Sequence, residues 1–148
     1  MLDAEVADFI YHEHFFEHLD RRSARRLLQE CLRVLRKGGR MRVAMPDLDR
    51  CVRRYVEGRT DQENAFVEDR TQLYGDQLLG TPGEWFDLAL RGWGHQFLYG
   101  ERDLVRMLEL NGFRCVERVP YRVSAIPSLN GLETRDPEQS ALIVEAQK

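Results

Sequence analysis

Residues 7–47 read ADFIYHEHFFEHLDRRSARRLLQECLRVLRKGGRMRVAMPD, and the way this stretch folds decides the rest of the chain. Phe9, Ile10 and Tyr11 form a short apolar run that reads as a strand, best drawn over residues 7–11. Apolar side chains at helical spacing follow from 22 to 36, Gly38 and Gly39 stop that helix, and residues 41–45 read as a second strand. Two parallel neighbours in one sheet require such a crossover, and its hand is almost always right-handed. The carboxyl end of the first strand, residues 11–14, therefore faces the crevice where open α/β sheets bind ligands.

The chain has 148 residues, of which 43% are hydrophobic and 32% charged, the size and balance of one globular domain spanning 1–148. It contains no apolar run long enough to cross a membrane, and its first residues are acidic where a signal peptide is basic, so a cytoplasmic protein without membrane contact is expected. Cys31, Cys51 and Cys115 are odd in number and far apart, which suits reduced thiols rather than disulfides or a zinc cluster. A net charge of −3 argues against a nucleic-acid partner held by bulk charge, and Arg50, Arg53 and Arg54 read as a solvated helix face.

The first helix is capped by Asp20 or Ser23 and presents Leu27, Leu28, Cys31, Leu32 and Leu35 as one stripe. Pro46 closes the second strand, and Asp47 caps a second helix whose shared face is Leu48, Cys51, Val52, Tyr55 and Val56, ended by Gly58. A third helix is expected over 61–79, followed by a turn-rich segment, 80–94, that holds Trp85 and Trp93. A helix over 101–111 stopped by Gly112, a strand over 113–120, a long connection and a last strand over 141–146 complete the chain.

The residues also resemble the second half of a class I S-adenosylmethionine-dependent methyltransferase, of the type 11 kind. The likeness is carried by Asp8, Glu17-His18-Leu19, Arg33-Val34-Leu35, Lys37-Gly38-Gly39 and Pro46-Asp47, and continues through Leu73-Tyr74-Gly75-Asp76-Gln77, His95-Gln96-Phe97 and residues 108–113. It implies a partial Rossmann-like α/β fold with helices on both faces. The strands would correspond to the fourth, fifth, seventh and sixth of that family, the last two antiparallel. Residues 46–99 would form a helical lid that shapes a small-molecule acceptor pocket.

By the same resemblance, Tyr11, His12 and Glu13 stand where family members touch the cofactor, and His18 and His95 stand where an acceptor base would face the pocket. A base is optional, because displacement at a sulfonium methyl depends chiefly on alignment. The family's glycine-rich turn and ribose-binding acid have no counterpart here: Gly92-Trp93-Gly94 follows no expected strand. The first strand should then present an open edge, which predicts a homodimer, a swapped assembly, or a separate polypeptide that completes the sheet. The expected function is a small-molecule methyltransferase needing a partner half for activity. The alternative is a non-catalytic dimeric binding or scaffold module on the same fold.

His14-Phe15-Phe16-Glu17-His18 matches H-x-x-E-H, a zinc-protease pattern, but that pattern needs a long helix, and this segment follows a strand. Some quinone-pathway O-methyltransferases carry Glu-x-x-Glu-His at this point to hold a divalent cation, and His14 stands where their first Glu would be. That likeness implies a site of His14, Glu17 and His18 for zinc or a similar borderline metal. The plainer alternative is that Glu17 and His18 hydrogen-bond the start of the helix and line a pocket.

Overall fold

A computed structural model describes residues 3–58, 81–137 and 139–148. Among these residues one sheet holds β1 (Ala7–Glu13), β2 (Leu35–Met45), β3 (Arg114–Arg118) and β4 (Leu142–Gln147), in the order β1-β2-β4-β3. β1 runs parallel to β2, with Ile10 opposite Met41 and His12 opposite Val43, whereas β4 is antiparallel to both β2 and β3. This is the order the family resemblance implied, with β1 as an outer strand that continues to Glu13, two residues past its expected end.

The crossover helix α1 (Arg21–Val34) starts where the sequence placed it, since the Asp20 carboxylate accepts the Ser23 amide at 2.7 Å. Its end is different. The helix stops at Val34, and Leu35 is already extended and paired with Ala7, so Gly38 and Gly39 lie within β2 and do not stop a helix. The register explains them: Ala7 faces Leu35 but Phe9 faces Arg40, so residues 36–39 bulge out of the ladder. Gly38 takes φ +81°, and a Cβ on Gly39 would sit 2.9 Å from the Arg36 carbonyl oxygen.

Side-chain alternation along β2 and β4 divides the sheet into two unlike faces. Met41, Val43, Leu142 and Val144 join α1 and the helix α4 (Glu101–Leu110) in the main apolar core. α4 follows the sequence closely, with Leu104, Met107 and Leu108 buried and Gly112 beyond it at φ +103°. The other face, where a second helical layer is expected, carries the buried Arg42 and Glu145, and among the described residues the 121–137 connection lies over them.

Between β2 and α4 lie α2 (Leu48–Glu57), capped by Asp47 and ended by Gly58 at φ +88°, and α3 (Pro82–Arg91). The buried face of α2 is not the expected one: Cys51 and Arg54 are buried, while Val52, Tyr55 and Val56 are exposed. α2 is rolled so that the Arg54 guanidinium sits 5.2 Å over the Trp85 ring, and a long stem with a stacking head serves there as an apolar residue would. α3 replaces the expected turn-rich segment. Thr81 and Glu84 form a reciprocal capping box with Pro82 in the first turn, so the Pro-Gly pair opens a helix. The helix expected over 61–79 lies outside the described residues, as does Leu73–Gln77. Among the described residues no helix is long and apolar enough to cross a membrane.

Candidate functional site

The carboxyl ends of β1 and β2 open onto one cavity of about 270 Å³, whose walls include His14, His18, Asp47, Arg54, Trp85 and His95. This is the crevice position that the strand-helix-strand reading pointed to. Past Glu13 the chain turns sharply at His14, which takes φ +49°, and enters a 3₁₀ turn, Phe16–His18. On the far side α3 runs into a second 3₁₀ turn, Gly92–Gly94, with Trp93 at φ +55°. The two turns are tied together, because the Gln96 and Phe97 amides both donate to the Glu17 carbonyl, at 2.8 and 3.1 Å. Those bonds bring the His18 and His95 rings to 5.0 Å between centroids.

His95 Nδ1 lies 2.8 Å from the Ala89 carbonyl oxygen, which only accepts, so Nδ1 carries the proton and Nε2 keeps its lone pair. Burial lowers the pKa of this imidazole, against the opposing pull of the Ala89 bond. Behind the histidines stands Glu17, whose side chain is 0% exposed. One of its oxygens is 3.2 Å from His14 Nδ1 and 3.9 Å from His18 Nε2, yet neither carboxylate oxygen makes a hydrogen bond of acceptable geometry. Ligand atoms of Glu17, His18 and His95 all lie within 4.8 Å of one another. The set gathered this way exchanges His14, expected in the metal group, for His95, expected only as a base.

Tyr11, His12 and Glu13 sit behind the cavity and do not line it. Alternation sends Tyr11 and Glu13 toward the 121–140 connection and His12 toward the core. The Glu13 carboxylate accepts from the Thr134 amide and hydroxyl, the Arg135 amide and the Ser140 hydroxyl. Burial works against its ionisation, but these bonds from Thr134, Ser140 and Arg135 outweigh it and hold the carboxyl at about 2. His12 stacks on Phe16 at 5.7 Å with both ring nitrogens buried and unpartnered, and burial pulls its pKa down to about 4 despite the nearby Glu17. Burial, then the charges of Glu13 and Glu133, raise that of Tyr11.

One wall residue, Arg54, reads in the sequence only as part of a solvated helix face. The capping box from Thr81 to Glu84 was a readable sign that the Trp85 segment is helical and so can present one face. Nothing local marks Arg54, whose place depends on a ring 31 positions away.

Residues 1–43 match a family model described as a methyltransferase domain. Among solved structures, the chain is similar to a SAM-dependent methyltransferase from Archaeoglobus fulgidus, with 17% identity and TM-score 0.54, covering 99% of this chain and 62% of that one. It is likewise similar to a SAM-dependent methyltransferase from Thermotoga maritima, described as a possible histamine N-methyltransferase, with 17% identity and TM-score 0.50, covering 99% of this chain and 58% of that one. A comparison with curated protein sequences finds no match. The fold is therefore that of the class I SAM-dependent methyltransferases. The chain spans roughly three fifths of the length of these two structures.

Proposed function

We propose that this chain is the acceptor-binding part of an S-adenosylmethionine-dependent methyltransferase that acts on a small molecule. In this reading a further segment or partner polypeptide completes the cofactor site. The observation that carries the reading is the cavity at the ends of β1 and β2, walled by His18, His95, Trp85 and Arg54. For the cofactor, the residues present offer the backbone of the outer strand β1 and not a wall of side chains: Tyr11 and His12 point to opposite faces of the sheet, His12 is turned into the core, and the Glu13 carboxylate is committed to the connection. Residues 11–13 would thus hold the cofactor by their backbone. When bound, S-adenosylmethionine supplies an electrophilic sulfonium methyl.

The chain's own contribution is to position the acceptor and manage its proton. Trp85 and Trp93 exclude water from the cavity and align a flat acceptor. His95, with Nδ1 fixed on Ala89, offers Nε2 as the base, and His18 stands beside it. The test is to add S-adenosylmethionine, at millimolar concentration, to the isotope-labelled chain and follow backbone amide resonances. Shifts confined to residues 11–14 are expected, and their absence at saturating ligand contradicts the reading.

A second reading, a binding or scaffold module that dimerises through β1, is favoured by β1's place as an outer strand and by Phe9, which is 42% exposed on it. Sedimentation at micromolar concentration separates the two. A dimer broken by Phe9→Lys, with no response to S-adenosylmethionine, supports the module, and a monomer removes it.

A further inference from the structure

We infer that Glu17, His18 and His95 form a binding site for a borderline divalent cation of the zinc type, open to the acceptor cavity. A carboxylate with 0% exposure and no hydrogen bond on either oxygen is a costly arrangement that proteins keep when something else neutralises the charge. Here three imidazoles surround it, with His14 Nδ1 at 3.2 Å and His18 Nε2 at 3.9 Å, and the ligand atoms of Glu17, His18 and His95 fall within 4.8 Å of one another. Bonds of about 2.0–2.2 Å around a tetrahedral zinc place ligand atoms roughly 3.4 Å apart, so a contraction on the order of 1 Å suffices.

The surroundings are those of a prepared site. The Ala89 carbonyl fixes the His95 tautomer and leaves Nε2 as the donor atom, which is how outer partners orient metal-bound histidines. The Glu17 carbonyl holds the 95–97 segment in place through the Gln96 and Phe97 amides, so ligands from two distant parts of the chain are registered before any ion arrives. Two imidazoles and one carboxylate select zinc-like ions over magnesium or calcium, which prefer oxygen. Three protein ligands leave a fourth position, and His18 and His95 border the cavity into which it would open. His14, although 3.2 Å from Glu17, stands outside the group whose ligand atoms gather within 4.8 Å, and its Nε2 faces the Ser140 hydroxyl.

The inference is tested without methyl transfer; with the ion bound, His95 Nε2 is a ligand and no longer a base, so the base role given to His95 belongs to the cation-free chain. The chelator-treated chain is titrated with zinc by calorimetry, and with cobalt by visible absorption, for the native protein and for His14→Ala, Glu17→Gln, His18→Ala and His95→Ala. One ion per chain is expected, with the intense bands of tetrahedral cobalt. Affinity should fall roughly tenfold or more in the Glu17, His18 and His95 variants and be unchanged in His14→Ala. Circular dichroism checks folding, and His95→Gln replaces His95→Ala if the latter unfolds. The proposal is overturned if the native chain takes up no stoichiometric zinc, or if binding survives His95→Ala and is lost with His14→Ala. The amide shifts expected with S-adenosylmethionine do not depend on either outcome.

Discussion

Two buried carboxylate clusters, one around Arg42 and one around Glu17, are built on contrary principles. Arg42 is wholly buried on β2, with Nε 2.6 Å from Glu133 and Nη1 2.5 Å from Glu145 and 3.0 Å from the Val123 carbonyl oxygen. Glu133 also accepts the Arg122 amide. Glu17 is equally buried, but its oxygens have no hydrogen bond and its neighbours are imidazoles. Burial alone therefore does not distinguish structure from function. The first cluster gives both its carboxylates hydrogen bonds from one guanidinium and ties the 121–137 connection to the sheet, whereas the second leaves its carboxylate without a hydrogen bond.

The sharpest way to break this contrast is Arg42→Met, which strands two buried carboxylates. It should destabilise the fold by about 3–5 kcal/mol, seen as a lower urea midpoint. His12 gives a somewhat smaller, pH-dependent effect. Its folded pKa of about 4 lies below the ordinary value of 6.5, so the unfolded chain binds the extra proton first. The resulting stability, on the order of 3 kcal/mol, is present above about pH 6.5 and is lost as pH falls toward 4. His12→Phe, which keeps the stack on Phe16, should flatten the stability profile across that window; an unchanged slope would contradict the assignment.

Glu17→Gln should carry the opposite sign to Arg42→Met. In chelator, removing an uncompensated charge should be neutral or stabilising by about 1 kcal/mol, whereas loss of about 3 kcal/mol would mean that Glu17 is paired structurally after all. The smallest effect is expected of a local cap. Asp20→Ala should cost about 1 kcal/mol in thermal unfolding through the freed Ser23 amide, with no change in cation binding.

What was legible in the sequence was local. The period of α1, the caps at Asp20 and Asp47 and the glycines at 58 and 112 act within a turn of the chain, and each was read where it lies. Gly38 and Gly39 misled because two glycines after a helical pattern look like its stop, although the bulge that needs them is set by pairing with β1. Pro82-Gly83 misled in the same way, since Thr81 and Glu84 turn that pair into a helix start. The partners of Arg42 are 91 and 103 positions away, and no local pattern announces them. For the site, Glu17 and His18 stood out by density of functional groups, but their partner His95 is delivered by two amide bonds to a single carbonyl, which spacing does not encode.

The most direct test of the view that Glu17 is held unpaired for a cation is the thermal shift on adding zinc to the native chain and to Glu17→Gln side by side. At about a hundredfold excess over the dissociation constant, the native midpoint should rise by roughly 5–10 °C, with little change in the variant. Equal shifts in the two proteins, or none in either, would contradict it.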